Sequence, residues 1–205
     1  MANISIFGLG YVGCVGTACL AKLGHKVIGY DVDETKVSCI NQGIPTIVER
    51  EVDEVMKEAH TQGLISATSS TEQAVAKSSI SFLCVGTPNA SDGQLDTSCL
   101  FHAIRNIGKA LRSKSTFHIV VIRSTVPPGT NETATEILEK ESGKKAGINF
   151  AVVSNPEFLR EGMAVSDFLA PPITVLGSAN PQALKILRKI YEPLNSNIIE
   201  VPPKV

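Results

Sequence analysis

Ile4-Ser5-Ile6-Phe7 runs without a break into Gly8-Leu9-Gly10-Tyr11-Val12-Gly13, and this junction constrains the fold more than any other segment. The first four residues have strand length and composition, and Val12 to Leu23 carries a helical period, so the glycines occupy a strand-to-helix turn. Three glycines at this spacing mean little alone; the placement gives them meaning. Gly8 can make the tight turn, Gly10 can let the backbone approach a pyrophosphate, and Gly13 can let helix and strand pack closely. The first-turn amides and the positive helix end then face an anion. Lys26 to Tyr30 reads as a second strand and ends at Asp31, about 18 residues past Gly13. A carboxylate there accepts hydrogen bonds from an adenosine ribose and repels a 2′-phosphate, which favours NAD over NADP. Lys36 sets a cation near it.

The same alternation continues. A helix is expected from Asp33 to Asn41, capped by Asp31 or Asp33, followed by an amphipathic helix from Glu51 to Gln62. Further strands are expected at Ile65 to Thr68, Ser79 to Val85, His118 to Ile122, Phe150 to Val153, Ile173 to Leu176 and Ile198 to Glu200. Further helices are expected at Thr71 to Ala76, Asp96 to Arg112, Thr130 to Glu141 and Pro181 to Tyr191. The Ser79 to Val85 run is apolar enough to need cover on both sides. The fold class that follows is α/β, a Rossmann-like doubly wound, mostly parallel sheet with helices on both faces. Residues 1–200 form the dinucleotide-binding domain, and 201–205, which carry Pro202 and Pro203, stop a strand and begin a link.

Lys+Arg 19 against Asp+Glu 20 leaves a net charge of -1, so no global field draws in nucleic acid or an anionic membrane. No apolar run approaches the ~18 residues of a membrane span, and the first residues do not read as a leader, so a cytoplasmic location is expected. Cys14, Cys19, Cys39, Cys84 and Cys99 are odd in number and widely spaced, which suits reduced thiols rather than a disulfide framework or zinc. His25, His60, His102 and His118 are equally scattered, and neither a metal site nor a triad is assigned.

Two more clusters follow strands. Thr87, in Val85-Gly86-Thr87-Pro88, and Thr125, in Arg123-Ser124-Thr125-Val126-Pro127-Pro128-Gly129, lie beyond strand ends, where open α/β sheets bind ligands. Each either meets the nicotinamide half of a cofactor or caps a turn. In Ser154-Asn155-Pro156-Glu157-Phe158-Leu159-Arg160-Glu161-Gly162, a helical turn would put Glu157 and Glu161 on one face beside Arg160. These carboxylates either handle protons at the cleft or form a solvated helix start with Arg160 as counterion.

Read together, these segments resemble the UDP-glucose/GDP-mannose dehydrogenase family over the whole chain. The likeness is carried by Gly8 to Gly13, Gly29-Tyr30-Asp31-Val32-Asp33, Ile40-Asn41-Gln42-Gly43, Val85 to Pro88, Ser124 to Gly129 and, most specifically, Asn155 to Gly162. The resemblance implies oxidation of a sugar C6 alcohol to the acid with two equivalents of NAD, through an aldehyde and a cysteine thioester. On it, Tyr11, Val12, Asp31, Lys36, Thr87 and Thr125 contact NAD. Phe158, Leu159, Arg160 and Glu161 line a sugar-nucleotide site for GDP-mannose or UDP-glucose. Glu161 activates or places the hydrolytic water, Thr125 steadies it and Glu157 supports it. The segments Asn41 to Gly43, Gly143 to Gly147 and Pro171 to Gly177 lean towards GDP-mannose.

The chain departs from the family pattern twice. Where the family continues from Pro-Ile-Val/Tyr-Glu into Pro-Gly-Leu, this chain has Thr46-Ile47-Val48-Glu49-Arg50-Glu51-Val52, so a different local turn is expected. None of the five cysteines has the Gly-Gly-x-Cys-Leu-Pro-Lys-Asp neighbours of the family nucleophile, and the central helix and C-terminal domain are also missing. The reading is therefore a truncated chain that binds NAD without completing catalysis, a monomer or weak dimer where the full-length enzyme is a homo-oligomer. A stand-alone NAD-binding or regulatory module is the alternative. Other Rossmann dehydrogenases share only the first motif.

Overall fold

The computed structural model describes residues 1–90 and 93–202. Part of the expected 201–205 link therefore lies outside the described residues. The elements are β1 (Asn3–Phe7), α1 (Tyr11–Lys22), β2 (Lys26–Tyr30), α2 (Glu34–Asn41), α3 (Val52–Thr61), β3 (Ile65–Thr68), α4 (Thr71–Ala76), β4 (Ile80–Leu83), α5 (Ser98–Leu111), β5 (His118–Ile122), α6 (Thr130–Ser142), β6 (Phe150–Ser154), α7 (Ala164–Leu169), β7 (Ile173–Gly177), α8 (Pro181–Tyr191) and β8 (Asn197–Val201). A 3-10 turn, Glu192–Leu194, follows α8. The strands form one sheet in the order β3-β2-β1-β4-β5-β6-β7-β8. β1 to β6 run parallel, and the order reverses between β1 and β4, so their carboxyl ends open a crevice at that point.

Strand alternation divides the core. In β5, Ile119 and Val121 face one side with residues of α1, α3, α7 and α8, whereas Val120 and Ile122 face the other with α4, α5 and α6. α1 is buried from Gly13 to Ala21, and its glycines, alanines, cysteines and Thr17 keep it thin enough to lie between the sheet and its neighbours. Cys14, Cys19 and Cys84 are buried as small apolar residues, and Cys39 and Cys99 are also free thiols. Burial pushes the Cys19 and Cys84 thiols up to about 12.

Two features depart from the expected pattern. α7 has no counterpart in the sequence reading: it follows the 155–162 segment directly, and Met163 at its cap position makes no side-chain cap bond. β7 meets β6 in antiparallel sense through Ser154 and Gly177, the last residues of both strands. β7 thus rises past the end of β6 by roughly 13 Å, four steps at strand rise, and β8 pairs along it in parallel. The two strands stand as a wall above the carboxyl ends of the others.

At the opposite ends of the strands lies a buried polar chain. Ser78 Oγ donates to Ser5 Oγ at 2.9 Å, Ser5 Oγ lies 2.7 Å from Ser81 Oγ, and Ser81 Oγ is 2.8 Å from His118 Nε2. This serine-histidine pair is no triad. His118 is fully buried, its Nδ1 has no partner, and it lies far from the crevice. Burial first, and Lys114 second, lowers the His118 pKa to about 3, so the ring folds neutral. Its contribution is complete above the ordinary value of 6.5 and is lost as pH falls towards about 3. The unfolding free energy should therefore decline by about 1.4 kcal/mol per pH unit for this one proton below pH ~6. Denaturant titrations of His118→Gln at pH 5 and 6.5 should show that slope removed.

The Arg50-Glu51-Val52 departure also takes shape here. Glu51 precedes α3 with φ 66 and ψ -11, a left-handed conformation that glycine adopts freely and glutamate does not. The expected change in this turn is thus carried as strain at one residue. Relief of that strain outweighs glycine's extra chain entropy, so Glu51→Gly should raise stability by about 0.5–1 kcal/mol in urea unfolding.

Candidate functional site

The glycine turn at the crevice is built as its sequence requires. Gly8 has φ +94 and its amide donates to Tyr30 O at 2.8 Å, stapling β1 to β2. A Cβ on Gly13 would sit 1.8 Å from Gly8 O, so only glycine permits this approach of helix to strand. Gly10 differs: it is the N-cap of α1, extended at φ -77 and ψ -158, and the space where its Cβ would project is open. α1 has no side-chain cap and no acid in its first turn, which leaves amides and the positive helix end for an external anion.

Asp31 is buried beside this turn. Its Oδ2 accepts from Leu9 N at 2.7 Å and its Oδ1 from Asp33 N at 3.0 Å, with Lys36 Nζ 3.6 Å from Oδ2. The helix cap is Asp33, which accepts from Thr35 N. Asp31 therefore braces the turn and still faces a cleft of about 820 Å³ whose lining includes Gly8, Gly10, Lys36, Gly86, Cys99 and His102. Open space at Gly10, uncapped amides and a recessed carboxylate fit a dinucleotide.

At the ends of β4 and β5, the Thr87 hydroxyl donates to Thr125 O at 2.8 Å, and Ser124 Oγ donates to Val85 O at 2.6 Å. The two threonines that the sequence set apart are thus brought together, Thr87 as a tie between loops and Thr125 exposed.

The 155–162 segment departs from expectation. It forms no helical turn over Glu157 and Glu161; Pro156 disfavours helix at Asn155, and Gly162 turns with φ +81. Glu157 Oε2 accepts from Leu159 N, and Arg160 pairs with Asp167 at 2.7 Å, not with either glutamate. Arg160 also donates its backbone amide to Asp167, whose carboxyl is held below the ordinary range by the guanidinium. Phe158 and Glu161 are left exposed. The paired-carboxylate picture therefore gives way to one engaged acid, Glu157, and one available acid, Glu161.

Two groups that the sequence reading did not single out hold this segment. Arg123, buried at the end of β5, donates from Nη1 to Asn155 Oδ1 at 2.8 Å and lies 5.3 Å from the centre of the Phe168 ring. Tyr191 Oη also donates to Asn155 Oδ1, and Asn155 Nδ2 donates to Val175 O at 3.0 Å, joining the segment to the β7 wall. At the other end, buried Glu49 accepts from Tyr11 Oη at 2.6 Å and from Gly162 N at 2.9 Å. These bonds, the phenol's first, hold the Glu49 carboxyl below its ordinary range. Burial, then Glu49, pushes the Tyr11 phenol up, and Glu161 adds to that shift. An arginine ending an apolar strand was the available signal for Arg123; nothing local distinguishes Glu49 from its charged neighbours. Among the described residues, no His, Cys, Asp or Glu cluster could hold a metal ion, and no helix is long and apolar enough to cross a membrane.

Comparison with known proteins places these features in context. The model of the UDP-glucose/GDP-mannose dehydrogenase family, NAD binding domain, matches residues 2–195. GDP-mannose 6-dehydrogenase of Pseudomonas aeruginosa is 47% identical over 198 residues, which is 96% of this chain and 45% of that protein. A solved ternary complex of GDP-mannose dehydrogenase from the same organism superposes with a TM-score of 0.96 at 46% identity, covering 98% of this chain and 46% of that one. UDP-glucose dehydrogenase of Pyrobaculum islandicum gives a TM-score of 0.95 at 40% identity, over 100% of this chain and 47% of that one. The chain spans a little under half the length of these relatives.

Gly10 and Gly13 make separable predictions. Gly10→Ala should leave stability within about 0.5 kcal/mol, since its conformation and surroundings admit a methyl group. Gly13→Ala should cost about 3 kcal/mol or more by overpacking against the Gly8 carbonyl. Thermal unfolding of the two variants checks the contrast.

Proposed function

The chain belongs to the UDP-glucose/GDP-mannose dehydrogenase family, within its NAD-binding domain, and from that premise we propose that it binds NAD in preference to NADP at the Gly8 to Gly13 turn. The observation that carries this is the recessed Asp31 carboxylate beside an uncapped helix start. Gly8, Gly10 and Gly13 shape the turn, and the first-turn amides at Tyr11 and Val12 hold the diphosphate. Asp31 takes the adenosine ribose hydroxyls, with Lys36 at the mouth of the cleft. Thr87 and Thr125 lie towards the nicotinamide end.

We further propose that the domain serves a nucleotide-sugar 6-dehydrogenase converting a C6 alcohol to the uronic acid, with GDP-mannose favoured over UDP-glucose by likeness to the Pseudomonas aeruginosa enzyme. Bound NAD supplies hydride acceptance. Phe158, Leu159, Arg160 and Glu161 face the sugar nucleotide, with Arg160 held in place by Asp167. Glu161 is the acid free to place a water, and Thr125 steadies that water from the loop after β5. Glu157 supports both by fixing Leu159 N. None of the five cysteines is set up as the nucleophile: three are buried, Cys39 is half-buried, and Cys99 is an exposed thiol that lines the cofactor cleft. Residues 1–200 thus act as the cofactor-binding unit, and this chain alone binds NAD without completing the oxidation.

Calorimetric titration of the 205-residue chain should give a one-to-one isotherm with NAD and binding to NADP weaker by about tenfold or more. Gly10→Ala, folded as above, should lose the NAD isotherm. Tighter NADP binding, or no heat with either nucleotide, would sink the proposal.

A further inference from the structure

The chain between α2 and α3 lies as a strap across the glycine turn. It is fastened at two points. The Thr46 hydroxyl donates to Leu9 O at 2.6 Å and the Thr46 amide reaches Cys14 Sγ at 3.4 Å. Three residues on, Glu49 is 7% exposed and receives the Tyr11 phenol at 2.6 Å. Tyr11 is the first residue of α1, so the strap touches the turn at both Leu9 and the helix start.

The far side of Glu49 meets the other half of the site. α7 begins at Ala164, and Met163 at its cap position supplies no side-chain hydrogen bond. Glu49 takes that part from a distance: Oε2 accepts from Gly162 N at 2.9 Å and Oε1 from Ala164 N at 3.4 Å. One carboxylate is therefore shared between the cofactor turn and the reversal that ends the Phe158 to Glu161 segment. A carboxylate in hydrogen bonds to a phenol and to amides is a strong, directional link.

We infer that Glu49 is a positioning residue that transmits occupancy of the glycine turn to the segment facing the sugar nucleotide. The inference rests on the reading that this turn binds NAD. A diphosphate gripping the first-turn amides fixes the backbone at Tyr11, the fixed phenol orients Glu49, and Glu49 then holds Gly162 N and Ala164 N. Removal of that freedom orders the end of the segment before the sugar nucleotide arrives, and by linkage an ordered segment tightens the grip on NAD. The donor and acceptor states suit neutral pH, since the phenol is kept protonated and the carboxyl ionised.

Hydrogen exchange of the 205-residue chain, read by mass spectrometry with and without saturating NAD, tests this. Wild type should show exchange at Gly162 and Ala164 slowed about tenfold by NAD. Tyr11→Phe removes the phenol's bond to Glu49 and its long 3.4 Å contact with Arg160 O but leaves Glu49 its two amide bonds, so its exchange without NAD should match wild type within about threefold, and saturating NAD should not slow it. Glu49→Gln should raise exchange at both amides even without NAD. Equal NAD-dependent slowing in Tyr11→Phe and wild type, or none in a wild type that binds NAD, overturns the inference and leaves the cofactor reading standing. A wild type that fails to bind NAD overturns both.

Discussion

The approach of Gly13 to the carbonyl of Gly8 is the constraint on which the rest depends. With only glycine able to fill that gap, α1 can start directly above the end of β1 and point its first amides into the crevice. Three other parts of the candidate site are fastened to this junction. Asp31 reaches it through Leu9 N, Thr46 through Leu9 O, and Glu49 through the Tyr11 phenol. A longer turn would move all three partners out of reach.

The electrostatic arrangement is local, as a chain of net charge -1 requires. At the glycine turn, positive potential comes from the open helix start and Lys36, and the buried acids beside it, Asp31 and Glu49, have defined donors. Asp31 and Glu49 each accept from two or more groups, and Asp167 neutralises Arg160. Glu161 is exposed, whereas Glu157 is engaged by Leu159 N. Buried Arg123 is held by Asn155 and the face of Phe168.

Features set by near neighbours in sequence were legible from it. The turn, Asp31, the order of strands and helices and the apolar faces follow from spacing and period, and they appear close to the expected bounds. What was not legible depends on residues far apart. Glu49 meets Gly162 across 113 positions, and Arg123 meets Tyr191 across 68. No local pattern announces either meeting. The Glu157 and Glu161 spacing misled for a related reason: a four-residue interval shares a face only in a helix, and Pro156 with the pinned Asn155 prevents that helix.

The wall formed by β7 and β8 has a mechanical consequence. Because β7 meets β6 only at the tips of both strands, the pair projects as a cantilever whose root is not a hydrogen-bonded ladder. Its root is braced by the Arg123, Asn155 and Tyr191 cluster and the packing of α8. The beam and the 155–162 segment share that root at one side chain, Asn155, which bonds Arg123, Tyr191 and the Val175 carbonyl at once.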